Sequence, residues 1–417
     1  RRRAEGLGHE LYDVTAWSLP LMSNVDATYC RRPPAIATVA VDADMPIARI
    51  AGGQPADWGY VIPWTDAGQA RLIAALAQSG VAMRTTDAGF TIGTRSYPRG
   101  SVVVPRHSAP ADIDSLMTRL AAETGARYDG MQTSWVDSGP NPGSDSFSPL
   151  RAPRVAMLWD EGVAPTSAGA TRFVLERRYG IPVAVIRTGT VARADLGLYD
   201  VLILPEQGGG SYTDVIGNGG VSAIQRFARE GGVVVGLGSA TRWLAATDVA
   251  LMPAQRERAA ASPRTGGGAG GPLVDGTILA NAAEMTAAEA ESGALPDSSP
   301  GALVRVEPNG ESWLSAGYAG GASALVTGSD IYAPVTMDEA TTAMRFAAGE
   351  DLLDGGYLWE DFARQLAYKP FVLSRRYGDG QVVAFTQSPT TRAYLDGLDL
   401  LLLNAVILGP AHTRGFH

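Results

Sequence analysis

At 417 residues the chain is long enough for two or three domains of roughly 150 residues each. Hydrophobic residues make up 45% and charged residues 18%, which supports a sizeable core and excludes disorder throughout. With 34 basic and 43 acidic side chains the formal charge is -9, which excludes partners that need a dense basic face, nucleic acid and anionic membrane alike.

A single cysteine, Cys30, excludes an internal disulfide framework and a Cys-ligated structural zinc. It reads as a small, partly buried residue without a histidine partner. Arg1–Arg3 lead into AEGLGHELYD rather than an apolar stretch, so no secretory signal is read here, and the opening looks cut from something longer. Residues 36–43 (IATVAVDA) and 60–63 (YVIP) read as strands. Residues 65–80 form an amphipathic helix with Thr65 or Asp66 as N-cap, Leu72, Ile73 and Leu76 on its apolar face, and Gly80 as stop. A strand at 81–85, a hairpin over 90–105 and a capped helix at 111–125 complete a small α/β unit spanning 1–137. Residues 138–150, rich in Gly, Pro and Ser, read as a linker.

From 151 to 412 the pattern is doubly wound. Strands at 154–159, 181–188 and 199–206 alternate with helices at 166–180, capped by Thr166 and closed by Gly180, and at 221–232. This spacing predicts a parallel sheet with right-handed crossovers. Residues 253–300, including TGGGAGG (265–271), read as an insertion with room for one Ala-rich helix. Further strands are expected at 303–306, 323–327 and 371–374, then a turn and strand over 378–387 and a closing helix at 394–407. The run Leu400–Leu408 contains Asn404 and is too short to span a bilayer, so it reads as a buried helix.

The segment Gly232–Leu244 (GVVVGLGSATRWL) carries the sharpest signal. A buried strand, a turn of small residues and a helix start are how α/β proteins expose a strained nucleophile elbow. Gly238 stands at its centre, with no side chain to react. Ser239 does not satisfy G-x-S-x-G, and only His412 and His417 follow it, so a small structural residue is the plainer reading than a hydrolase nucleophile. Gly236 and Gly238 match half of a dinucleotide fingerprint, whose third glycine is Thr241 here.

Ligands of doubly wound sheets sit beyond the carboxyl ends of the strands. Three loops should meet there: Asp160 and Glu161, then Glu206, Gln207 and Gly208, then Ser239 to Thr241. Helix N-termini favour an anion, whereas the three acids oppose one, so a neutral polar or cationic ligand such as an amine or peptide terminus fits better. The plainer alternative is that these acids cap helices and face water. Trp58, Tyr60 and Trp64 either form a glycan or peptide platform or, more commonly for such residues, pack inside. His412 and His417 either pair on a metal or belong to a frayed end.

Residues 154–408 resemble the class I glutamine amidotransferase-like fold, through the first strand with its acidic loop, the YDVLILP strand, the elbow and the GDGQVVAFTQ…LLLLNAVI ending. The resemblance implies a flavodoxin-like, doubly wound sheet. Active members carry an elbow thiol and a later histidine with a carboxylate. Gly238 replaces the thiol and AFTQSPTT (384–391) lacks the histidine, so glutaminase activity is not carried over.

A second resemblance rests on HELYDVTAWSLPLMSNVDA (9–27), WGYVIPWTDAGQARLIAAL (58–76) and YPRGSVVVP (97–105). These strings resemble the region downstream of the catalytic domain in large bacterial zinc carboxypeptidases of the carboxypeptidase A-like family. The resemblance implies a non-catalytic accessory region partnered by an upstream peptidase domain, with zinc held only in that domain, and a periplasmic or secreted location. The peptidase needs an HxxE pair and a distant His. His9 is followed three residues on by Tyr12 and His107 by Pro110, so this chain supplies no such pair and no cofactor is expected in it. An autonomous hydrolase at Ser239 and a carbohydrate or small-ligand binding module are the competing readings.

Overall fold

The computed structural model describes residues 18–32, 35–37, 56–259, 273–274, 276, 278 and 295–414. Most of the strand expected over 36–43, the glycine run 265–271, His9 and His417 lie outside them.

The first unit is built on an antiparallel sheet. Its strands are β1 (Gly59–Ile62), β2 (Met83–Thr86), β5 (Val102–Pro105), β6 (Asp129–Met131) and β7 (Phe147–Leu150), in the order β6-β1-β5-β2-β7. The hairpin β3 (Phe90–Ile92) and β4 (Arg95–Tyr97) stands apart, while β5 leaves it for the sheet centre. Alternation along the strands explains why all four residues of β1 are buried. Tyr60 and Ile62 join the core shared with the helices, whereas Val61 joins Phe90, Tyr97, Val103 and Phe147 in a smaller cluster.

After the short helix α1 (Leu19–Ser23), helix α2 (Ala67–Gln78) buries Leu72, Ile73 and Leu76, each side chain contributing roughly 1.5–3 kcal/mol. Asp66 is its N-cap, accepting from the Gly68 and Gln69 amides at 2.9 and 3.4 Å. Helix α3 (Ile113–Thr124) ends on Gly125 at φ 70°.

Two expectations fail in this unit. The segment read as a linker carries β7, whose residues pair with Met83–Thr86. Its Phe147, fully buried, outweighs the turn-forming residues around it. Tyr60 and Trp64 are buried, so they pack inside, the commoner of the two fates expected of them, and form no platform. Cys30, expected to be partly buried, is exposed.

The second unit is a mixed sheet. Its parallel strands are β8 (Val155–Trp159), β9 (Val183–Arg187), β10 (Val201–Leu204), β11 (Val233–Leu237) and β19 (Gly380–Phe385). Their order is β9-β8-β10-β11-β19, which is 2-1-3-4-5 by first appearance and therefore flavodoxin-like. All residues of β10, β11 and β19 are buried, as expected of parallel strands covered on both faces.

An antiparallel wing extends from β19 through β18 (Pro370–Tyr377), β16 (Thr341–Phe346), β14 (Ser299–Pro308) and β15 (Ala322–Gly328), with β17 (Leu353–Gly356) also on β14. A short ladder joins β12 (Arg256–Glu257) to β13 (Leu273–Val274).

The helices depart from expectation at their ends. Helix α4 (Pro165–Phe173) starts with proline in its first turn after Ala164, so Thr166 lies inside it and caps nothing. It then loosens into a π-helical turn, Val174–Arg178. Helix α5 (Tyr212–Arg229) starts nine residues before the expected helix, through a capping box between Ser211 and Asp214, and kinks at Gly217. Helix α6 (Ala240–Leu244) follows the elbow, and α7 (Glu360–Leu366) precedes β18.

The closing apolar run is buried as expected, although α8 (Asp399–Leu403) gives way to a π-helical turn over Asn404–Leu408. The Asn404 carboxamide donates to Leu314 O and Ala316 O at 2.6 and 2.9 Å and accepts from Trp64 Nε1 at 2.7 Å. His412 is not frayed: it stacks on Trp313 and lies 2.8 Å from Asp87 of the first unit.

Candidate functional site

The elbow sits where the sequence places it. Gly238 has φ 51°, a left-handed conformation that costs any other side chain strain. A Cβ at this position would stand 2.4 Å from Glu206 Oε1 and 2.9 Å from Glu206 Cδ. The acid from the loop after β10 thus occupies the space into which an elbow side chain would project.

Burial pushes the Glu206 carboxyl upward. The Arg242 charge and the Ser239 amide pull it back down, and Asp330 adds to the rise. Glu206 has no ion-pair partner within 4 Å among the described residues. Arg242 Nε instead lies 3.2 Å from Asp330 Oδ2, whose other oxygen is 2.6 Å from Arg256 Nε.

A pocket of about 380 Å³ opens beside this cluster, lined by Ala164, Glu206, Gln207, Gly238, Ser239, Arg242, Arg256, Thr327, Gly328, Ser329, Asp330, Thr386 and Gln387. The strand ends of β11 and β19 supply one wall and the end of β15 the other. Arg256 is held in place locally: the Glu257 amide donates to Ile331 O at 2.7 Å, and the Glu257 carboxylate bonds the buried Lys369 ammonium and Gln365 Nε2. Burial lowers the Lys369 pKa while Glu257 opposes that shift.

Of the seven residues expected at the mouth, Glu206, Gln207 and Ser239 line the pocket, and four do not. Asp160 is exposed at φ 87°, 3.7 Å from Arg187. Glu161 is exposed, and its carbonyl accepts from Thr188 Oγ1. Gly208 donates its N–H to Gly162 O at 2.9 Å, tying the loop after β10 to the loop after β8. Thr241 is buried, its hydroxyl donating to Phe385 O at 2.8 Å and so fastening α6 to β19.

Ser239 Oγ accepts the Gln207 amide at 2.8 Å, which makes it a loop brace. No histidine lines the pocket. Among the described residues no three His, Cys, Asp or Glu side chains converge as metal ligands, and no helix is long and apolar enough to cross a membrane.

Sequence reasoning missed Arg242, Arg256, Asp330 and Gln387. Asp330 and Arg256 arrive through the antiparallel wing, which a parallel alternation does not announce. Gln387 was visible as a polar residue two places after the buried β19 strand.

Fold and pocket together define a mixed α/β protein with a flavodoxin-ordered parallel core and a polar pocket at its carboxyl edge. No family model and no curated protein matches the chain. Among solved structures it is similar to a cytoplasmic protein from Salmonella typhimurium, at 12% identity over 60% of this chain and 97% of that one, with a TM-score of 0.35. It is also similar to a ThuA-like protein from Parabacteroides merdae, at 11% identity, 62% and 90% coverage and a TM-score of 0.39. A β-galactosidase from Bacillus circulans sp. alkalophilus matches at 15% identity over 62% of this chain and 31% of that one, with a TM-score of 0.32. The strand order stated above rests on the pairing in this chain alone.

Proposed function

We propose that this chain is a non-catalytic accessory region with a class I glutamine amidotransferase-like domain, working beside a zinc carboxypeptidase-like peptidase domain and binding a small polar ligand at its carboxyl-edge pocket. The observation that carries the reading is the elbow: Gly238 offers no nucleophile, and the Glu206 carboxyl fills the place where one would stand. Ser239, the other candidate, braces the loop by accepting the Gln207 amide, and His107 and His412 are absent from the pocket lining. By family resemblance, the zinc of the parent enzyme belongs in the peptidase domain, whose HxxE pair and distant histidine would hold it. A periplasmic or secreted setting follows from the same family resemblance.

The test has two arms. The purified chain is assayed for glutamine hydrolysis and for release of C-terminal residues from peptides, and neither should exceed a blank. Turnover abolished by Ser239→Ala would replace this reading with the hydrolase. Separately, the peptidase domain is produced with and without this region. The fused form should be more resistant to thermal inactivation or have a lower KM, and identical behaviour of the two would refute the accessory role.

A further inference from the structure

The pocket has one unneutralised acceptor and two unused donors. Glu206 is half-buried and lacks an ion pair among the described residues. Gln387 is only 6% exposed, its Oε1 accepts the Thr327 amide at 3.2 Å, and its Nε2 has no hydrogen-bond partner among the described residues. Arg242 meets Asp330 through Nε, leaving its terminal Nη groups without hydrogen bonds among the described residues. With Oε1 engaged, the Gln387 amide keeps its donor side available at the pocket wall, where a ligand that accepts a hydrogen bond would use it.

Charge narrows the class. Glu206 and Asp330 balance Arg242 and Arg256, so the pocket is neutral overall with its charges separated. A simple anion meets Glu206 and Asp330, and a simple cation meets two guanidinium groups. A neutral polyol would satisfy the donors and leave the Glu206 charge desolvated and uncompensated. A compact molecule with one charge of each sign compensates both ends, and about 380 Å³ suits it.

We propose that the pocket takes a free α-amino acid, with its ammonium group against Glu206 and its carboxylate on Arg242 and Gln387 Nε2. The inference rests on the ligand-pocket reading above. In this pose the backbone ammonium, rather than a side-chain carboxamide, faces the elbow at Gly238.

The experiment titrates the whole chain calorimetrically with L-alanine, L-leucine, L-glutamate and L-lysine, and with maltose and inorganic phosphate. The tightest amino acid is then compared with its N-acetyl derivative and its amide. One of the four should bind with a stoichiometry of one, and each blocked derivative should bind about tenfold more weakly or worse. Glu206→Gln and Gln387→Leu should weaken the free amino acid to a similar degree with unchanged near-ultraviolet circular dichroism. The blocked-ligand comparison uses the unaltered chain and stands even where a variant misfolds. Equal affinity for free and N-acetylated forms overturns the zwitterion assignment, as does binding of maltose or phosphate without any amino acid, while both leave a ligand pocket in place. No binding by any of the six removes the ligand pocket as well.

Discussion

Glu206 and Gly238 occupy one space between them, and each limits what the other position can be. Gly238→Ala forces a left-handed Cβ onto the Glu206 carboxyl, and should cost about 1–3 kcal/mol in urea unfolding. Part of that cost should vanish in the Glu206→Ala background, where the clash is gone and only the backbone strain remains. Strictly additive losses in the double-mutant cycle would contradict the shared-space account. A second residue-scale consequence concerns Asp399, 2% exposed and pushed up to about 6 by burial, against the opposing hydrogen bond and charge of Arg178. Its folded-state pKa lies above the unfolded value near 4, so the folded form holds the proton longer. The contribution of Asp399 to stability is therefore greatest below about pH 4 and declines as pH rises towards about 6. The stability difference between the natural chain and Asp399→Asn, measured at intervals across that range, should fall with rising pH. A flat difference would show that Asp399 titrates normally.

The elements show what a sequence can and cannot announce. Asp66 was legible as one of two cap candidates, and its two amide contacts settle the choice. Asp66→Ala should lower stability by about 1 kcal/mol, read as a shift in the denaturation midpoint without a change of slope. The parallel strands were legible because doubly covered strands read as unbroken apolar runs, as Val201–Leu204 and Val233–Val235 do. Strand β16 was not, since TTAMRF mixes polar and apolar residues and its identity depends on pairing with β18 and β14 far along the chain. The start of α5 was hidden by three successive glycines before Ser211, and the capping box became visible only with its geometry. The pocket followed the same division. Glu206, Gln207 and Ser239 belong to the parallel core and were found, whereas Arg256 and Asp330 belong to the wing and were not.

Across the whole molecule, the two units share one hydrophobic cluster and are tied by polar contacts as well. Trp64 reaches Asn404, Arg71 Nε donates to Arg178 O at 3.2 Å, and His412 meets Asp87. Asn404→Ala would strand the Trp64 indole and two carbonyls in the core, and should cost about 3 kcal/mol or more. With such sharing the described units should melt together, and calorimetry should record one cooperative transition rather than two. Two resolved transitions, with the smaller abolished by deleting residues before 151, would mean that the interface contributes little. The strand β7 carries a practical corollary. A stretch whose Pro, Gly and Ser content suggests a hinge ends as the outermost rung of the smaller sheet. Severing the polypeptide ahead of Phe147 would strip that rung away and leave Met83–Thr86 as a raw, sticky margin, so the safe place to divide the molecule falls after Leu150.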